Sequence, residues 1–126
     1  MKKLFATTLI LLSVIAFSFA QQTVASDFYL MKNTHDAELV LKAINNELKL
    51  SETTFAQVCD LLFASAKSQA EQITPTIESE RVNIIKTRQT AHIENQLKTI
   101  LGLDKFNIYQ QKKAAMDTKL KELKKN

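Results

Sequence analysis

The chain has 126 residues, a single Gly, a single Pro, a single Cys and no Trp. Its 17 Lys and Arg against 13 Asp and Glu give a net charge of +4, too mild to call for a nucleic-acid partner. One cysteine excludes an internal disulfide framework, one glycine excludes a phosphate-cradling loop, and such scarcity of Gly and Pro disfavours a turn-rich β fold.

The first twenty residues read as an export signal. Lys2 and Lys3 form a positive start, and Leu4 to Phe19 is an apolar run broken by Thr7, Thr8, Ser13 and Ser18. Ser18 and Ala20 put small residues where signal peptidase cuts, so cleavage is expected before Gln21. The run is short for a membrane span; an uncleaved anchor is the alternative. No cysteine near the cut allows a lipoprotein anchor. Removing 20 of 126 residues leaves 106, one domain at most. The expected location is the periplasm, after secretion across the inner membrane.

Residues 21–34 read as a loose N-terminal segment. Phe28, Tyr29, Leu30 and Met31 form an apolar cluster in it, which either packs back on the domain or extends the first helix backwards. A single helical domain is expected over 35–126.

The first helix is expected from about His35 to Lys49, capped by Asn33 or Thr34. Ala37, Val40, Leu41, Ile44 and Leu48 recur at helical spacing. The second opens with Leu50 ahead of Ser51 and Phe55 four residues on, an N-cap serine with a hydrophobic staple. Its stripe runs through Phe55, Val58, Cys59, Leu62, Ala66, Ala70 and Ile73, widened by Leu61 and Phe63, and it ends before Pro75. Cys59 on this stripe reads as buried; the alternative is a bridge between two protomers.

The third helix is expected to use Thr74 as cap and Pro75 as its first residue. Ile77, Val82, Ile84, Ile85, Ile93, Leu97, Ile100 and Leu101 form its apolar side, and Gly102 ends it as a left-handed cap. The fourth repeats the second: Leu103 precedes Asp104 as cap, and Ile108 follows. It continues through Tyr109, Ala115, Met116, Leu120 and Leu123 into a lysine-rich end. Seven Lys against Asp117 and Glu122 lie from Lys105 onward, whereas Gln21 to Asp104 holds eight basic and eleven acidic residues. The fold class is therefore all-α: about four helices in long antiparallel hairpins. Dimerisation would enlarge the modest core of so small a chain.

No residue set for chemistry stands out. His35 and His92 fall in different helices, and Glu38 beside His35 makes only two ligands. Cys59 has no basic neighbour to activate it. Neither an enzyme, a cofactor nor a metal is expected. Phe55, Val58, Leu62, Ile85, Leu97 and Ile100 are assigned to packing, and Arg81, Arg88, Lys112 and Lys113 to a binding surface.

The two helix starts, Leu50-Ser51-Glu52-Thr53-Thr54 and Leu103-Asp104-Lys105-Phe106-Asn107, resemble the twice-repeated Leu-Thr-x-x-Gln motif of the Spy/CpxP family, small helical proteins of the bacterial envelope. The run from Thr90 to Leu101 resembles the stretch before that family's second motif. Ser51 and Asp104 replace Thr with capping chemistry kept. Thr54 stands in place of the first Gln, and Asn107 or Lys105 in place of the second. The resemblance implies an elongated antiparallel dimer of hairpins that binds unfolded or stress-damaged envelope proteins without ATP, or acts as a stress-response accessory. The alternative from the residues alone is a structural or adhesion component whose basic C-terminal helix contacts anionic surfaces.

Overall fold

The computed structural model describes residues 27–125, and the expected export signal lies outside them. Among the described residues there are four helices and no strand: α1 (Thr34–Leu48), α2 (Glu52–Gln72), α3 (Ser79–Leu101) and α4 (Leu103–Lys125). This is the all-α class expected. No described helix is long and apolar enough to cross a membrane.

Local chemistry sets most of the ends. Asn33 caps α1, its side chain accepting from the Asp36 amide at 2.9 Å. Asp36 in turn accepts from the Lys32 amide at 2.9 Å, which ties the preceding chain to the helix start. At the far end Lys49 turns left-handed (φ 49). The Asn45 side chain receives the Leu50 amide at 2.8 Å across the corner. Ser51 caps α2 through the Thr54 amide at 3.3 Å. Thr54, in the place of the motif glutamine, also accepts the Ser51 hydroxyl at 3.0 Å.

Two expected boundaries are corrected. Thr74 and Pro75 do not open α3. They belong to a turn closed by the Ile77 amide on the Thr74 carbonyl, and α3 begins after Glu78, whose side chain makes no cap bond. Proline's fixed φ suits the second position of such a turn as well as a first helical position. Asp104 does not cap α4, because the helix starts at Leu103. Gly102 alone separates the two helices. Its amide bonds to the Lys98 carbonyl and its own carbonyl takes the Phe106 amide, so it ends one helix and opens the next. Its backbone (φ 81, ψ 164) has a positive φ but lies outside the left-handed helical region, in conformational space that only glycine adopts readily. Leu103 consequently stays 64% exposed and Ile108 41% exposed, so no buried staple forms there.

α1 packs on α2, α2 on α3, α3 on α4 and α4 back on α1; α1 and α3, like α2 and α4, lie across the diagonal with no close backbone approach. Short links make sequential neighbours antiparallel. Glu47 near the end of α1 meets Lys112 in α4, and Asp27, ahead of α1, senses Lys121 and Lys124 near the end of α4. The ring thus closes with α1 and α4 antiparallel as well.

The core draws Ala37, Val40, Leu41, Ala43 and Ile44 from α1 and Val58, Leu62 and Ala66 from α2. Ile93, Leu97 and Leu101 come from α3, and Phe106, Tyr109, Met116 and Leu120 from α4. Phe28, Tyr29 and Met31 join it with no exposed surface. Of the two placements expected for the apolar cluster, packing back is the one found: residues 27–33 lie as a strap across the helices and α1 is not extended through them, while residues 21–26 lie outside the described residues. Among the residues assigned to packing, Val58, Leu62 and Leu97 are buried, Ile85 and Ile100 are half-buried, and Phe55 is 37% exposed.

Gly102→Ala tests the corner. A Cβ there would meet nothing within 4 Å, so any cost is purely backbone. This φ,ψ region is nearly glycine-only, and the substitution is expected to lower stability by roughly 1–3 kcal/mol in urea unfolding. An unchanged midpoint would mean that the corner relaxes freely.

Candidate binding surface and the strap that crosses the core

The strap is held by a column of buried polar groups. Gln69, with no exposed surface, lies on the face of α2 that carries Val58, Leu62, Ser65 and Ala66. Its Oε1 accepts the Met31 amide at 2.9 Å and its Nε2 donates to the Tyr29 carbonyl at 2.8 Å. The second Nε2 proton reaches Ser65 Oγ at 3.1 Å. Ser65 donates onward to Gln89 Oε1 at 2.8 Å, which ties α2 to α3. One carboxamide thereby satisfies two main-chain groups of the strap that burial would otherwise leave unpaired.

The Tyr29 side chain makes the second attachment. Its hydroxyl lies 2.6 Å from the Tyr109 hydroxyl. Tyr109 donates to Glu94 Oε2 at 2.8 Å, and Lys113 Nζ donates to the same oxygen at 2.8 Å. Tyr109 has one proton and gives it to Glu94, so Tyr29 must be the donor between the two phenols. The chain runs from strap to α4 to α3 and ends on an ion pair. Burial pushes both phenols above their ordinary pKa, which keeps them neutral and able to donate. Phe28 meets Tyr29 edge-on and Phe106 stacks on Tyr109, which fixes the ring planes.

At the strap's start Lys86, buried on α3, reaches Asp27 at 2.7 Å. That bond holds the Asp27 carboxyl below its usual range. Every buried side-chain nitrogen and oxygen among the described residues has a partner. Burying Phe28, Tyr29 and Met31 stabilises by roughly 1.5–3 kcal/mol each, so the strap belongs to the folded core.

The expected surface residues separate into two kinds. Arg81 and Arg88 are exposed, and Ile84 lies between them at i+3, itself 55% exposed. This face of α3 presents an uncovered apolar side chain between two guanidinium groups. Lys112 is exposed and pairs loosely with Glu47 at 3.5 Å. Lys113 is not a free surface cation, because Glu94 engages it. The antiparallel turns bring the starts of α2 and α4 to the same end of the molecule, so Leu50–Thr54 and Leu103–Asn107 come to one end. Phe55, Leu103 and Ile108 are exposed there.

Among the described residues no group of three His, Cys, Asp or Glu could hold a metal. Cys59 is half-buried, and burial raises its thiol pKa, away from nucleophilic use. An open groove of about 580 Å³ between the start of α1 and α2 is lined by Lys32, Phe63, Ala66, Lys67 and Ala70 among others, without the converging polar groups of a small-molecule site. Gln69, Tyr29 and Glu94 did not emerge from the sequence as site residues. One signal was present: Gln69 falls seven residues after Leu62, on its face.

Comparison with known protein families, curated proteins and solved structures finds no match.

Two substitutions test the column. Tyr29→Phe removes one donor and leaves Tyr109 on Glu94, an expected cost of about 0.5–1.5 kcal/mol. Tyr109→Phe deprives both Tyr29 and Glu94 and should cost about 1–3 kcal/mol. Equal effects in urea unfolding would contradict the donor order.

The phenols also set an alkaline limit. Their folded pKa values lie above the unfolded value of about 10, so the folded state retains protons that the unfolded chain gives up. Stability from this source is full below about pH 10 and falls as pH rises beyond it. The urea midpoint should drop across that range, and less steeply in Tyr29→Phe. An identical slope in the variant would remove Tyr29 from the account.

Proposed function

We propose that this is an exported binding module of the bacterial envelope that engages unfolded or damaged proteins without ATP. The observation that carries the reading is the uncovered apolar side chains set among cations. Ile84 lies between Arg81 and Arg88, and Phe55, Leu103 and Ile108 stand exposed at the end that carries the two repeated helix starts. Exposed large apolar groups beside positive charge suit adaptable, reversible contact with partly unfolded chains. The resemblance of Leu50–Thr54 and Leu103–Asn107 to the Spy/CpxP motif supports the same reading, as does the export signal read in residues 1–20. A homodimer would bring two such surfaces together and raise avidity.

The test is suppression of aggregation of a reduced, unfolding client, without ATP, at low and high salt. Suppression that persists in salt is the expected result. Ile84→Ser is expected to weaken it several-fold without lowering thermal stability, since Ile84 contributes little to the core. Absence of suppression at either salt overturns the proposal and leaves the lysine-rich α4, acting on anionic surfaces, as the better account.

A further inference from the structure

The strap is bound as a peptide ligand would be. Gln69 takes the carbonyl of one residue and the amide of the residue two further on. Those are groups that any polypeptide offers, and they follow directly on a turn in which the Leu30 amide donates to the Asp27 carbonyl at 3.0 Å, so the spacing selects a turn followed by open main chain. The flanking side chains add selectivity: a phenol hydroxyl meets Tyr109, and Phe28 and Met31 are fully enclosed. Lys86 receives an acidic residue just ahead of the aromatic pair, with Lys121 and Lys124 adding attraction. The strap bridges α2 and α4, bonding to Gln69 on the first and to Tyr109 on the second.

We propose that the junction of α2, α3 and α4 is a peptide-binding groove, occupied in cis by residues 27–31. Its partner in trans is a turn-forming segment of an unfolded polypeptide with an acidic residue, two aromatics and an apolar residue in that order. This inference rests on the unfolded-protein reading above and names the segment recognised. The strap sets the threshold for entry. A tethered segment competes at an effective concentration on the order of millimolar, so sparse exposed segments do not displace it and abundant ones do. The aromatic and apolar residues of such a segment are mostly buried in folded proteins, so occupancy in trans would register unfolding.

The experiment is native-state amide exchange on the intact protein, read at Met31 and Leu30 and at core amides of α2 and α3. The probe is a synthetic peptide with the sequence of residues 27–33, and the control peptide carries Tyr29→Ser and Met31→Ser. The expected result is several-fold faster exchange at Met31 with the first peptide, no change with the control, and unchanged core amides. Exchange of Met31 only together with the helix core, at a rate the peptide leaves untouched, overturns the proposal. Aggregation suppression is measured in the same preparation. Suppression with an unmoved strap overturns this inference alone. A displaced strap without suppression overturns unfolded polypeptide as the partner.

Discussion

Gln69 sets the constraint on which the interior depends. A carboxamide with no access to water must have its donors and acceptor matched, or it costs more than an apolar residue would. Here the matching groups come from a segment with no regular structure of its own. The strap needs Gln69 to satisfy its backbone inside the core, and Gln69 needs the strap to satisfy its side chain. That mutual requirement fixes the strap's register along α2. It places the Tyr29 ring where it can reach Tyr109, and through Tyr109 it couples α4 to Glu94 on α3. Four helices whose backbones approach closely only as neighbours in a ring thus acquire a hydrogen-bonded connection across the diagonal.

The helices were legible because their signals are local. Apolar residues at three-to-four spacing placed α1 and α2, and Ser51 marked a start whose capping bond is present. Helix ends shared between elements were less legible. Asp104 resembles a cap by type and position, but Gly102 already supplies the carbonyl that opens α4. Pro75 fits a first helical position and a turn equally well, and the neighbouring chain chooses the turn. Both are cases in which a residue's own preference allows two answers and the connection geometry selects one.

The candidate site was less legible for a different reason. The stripe on α2 was followed through Ala70 because Ala70 is apolar, whereas the buried face turns through Ser65 and Gln69. Hydrophobicity alone cannot place a polar residue whose partners lie about forty positions away, as Tyr29 and Met31 do from Gln69. Lys113 illustrates the converse. As part of a basic run it reads as surface charge, and only the fold reveals Glu94 beside it. Arg81, Arg88 and Lys112, with no comparably close acidic partner, lie at the surface as their composition suggests.

The chain holds two tyrosines and no tryptophan, and both tyrosines meet at a single hydrogen bond. The protein's tyrosine emission therefore arises entirely from the contact between the strap and α4. A phenol bonded to a carboxylate, as Tyr109 is to Glu94, emits differently from one in water. The seating of the strap can thus be followed by light in the unlabelled chain, against any client or surface that itself lacks aromatic emission.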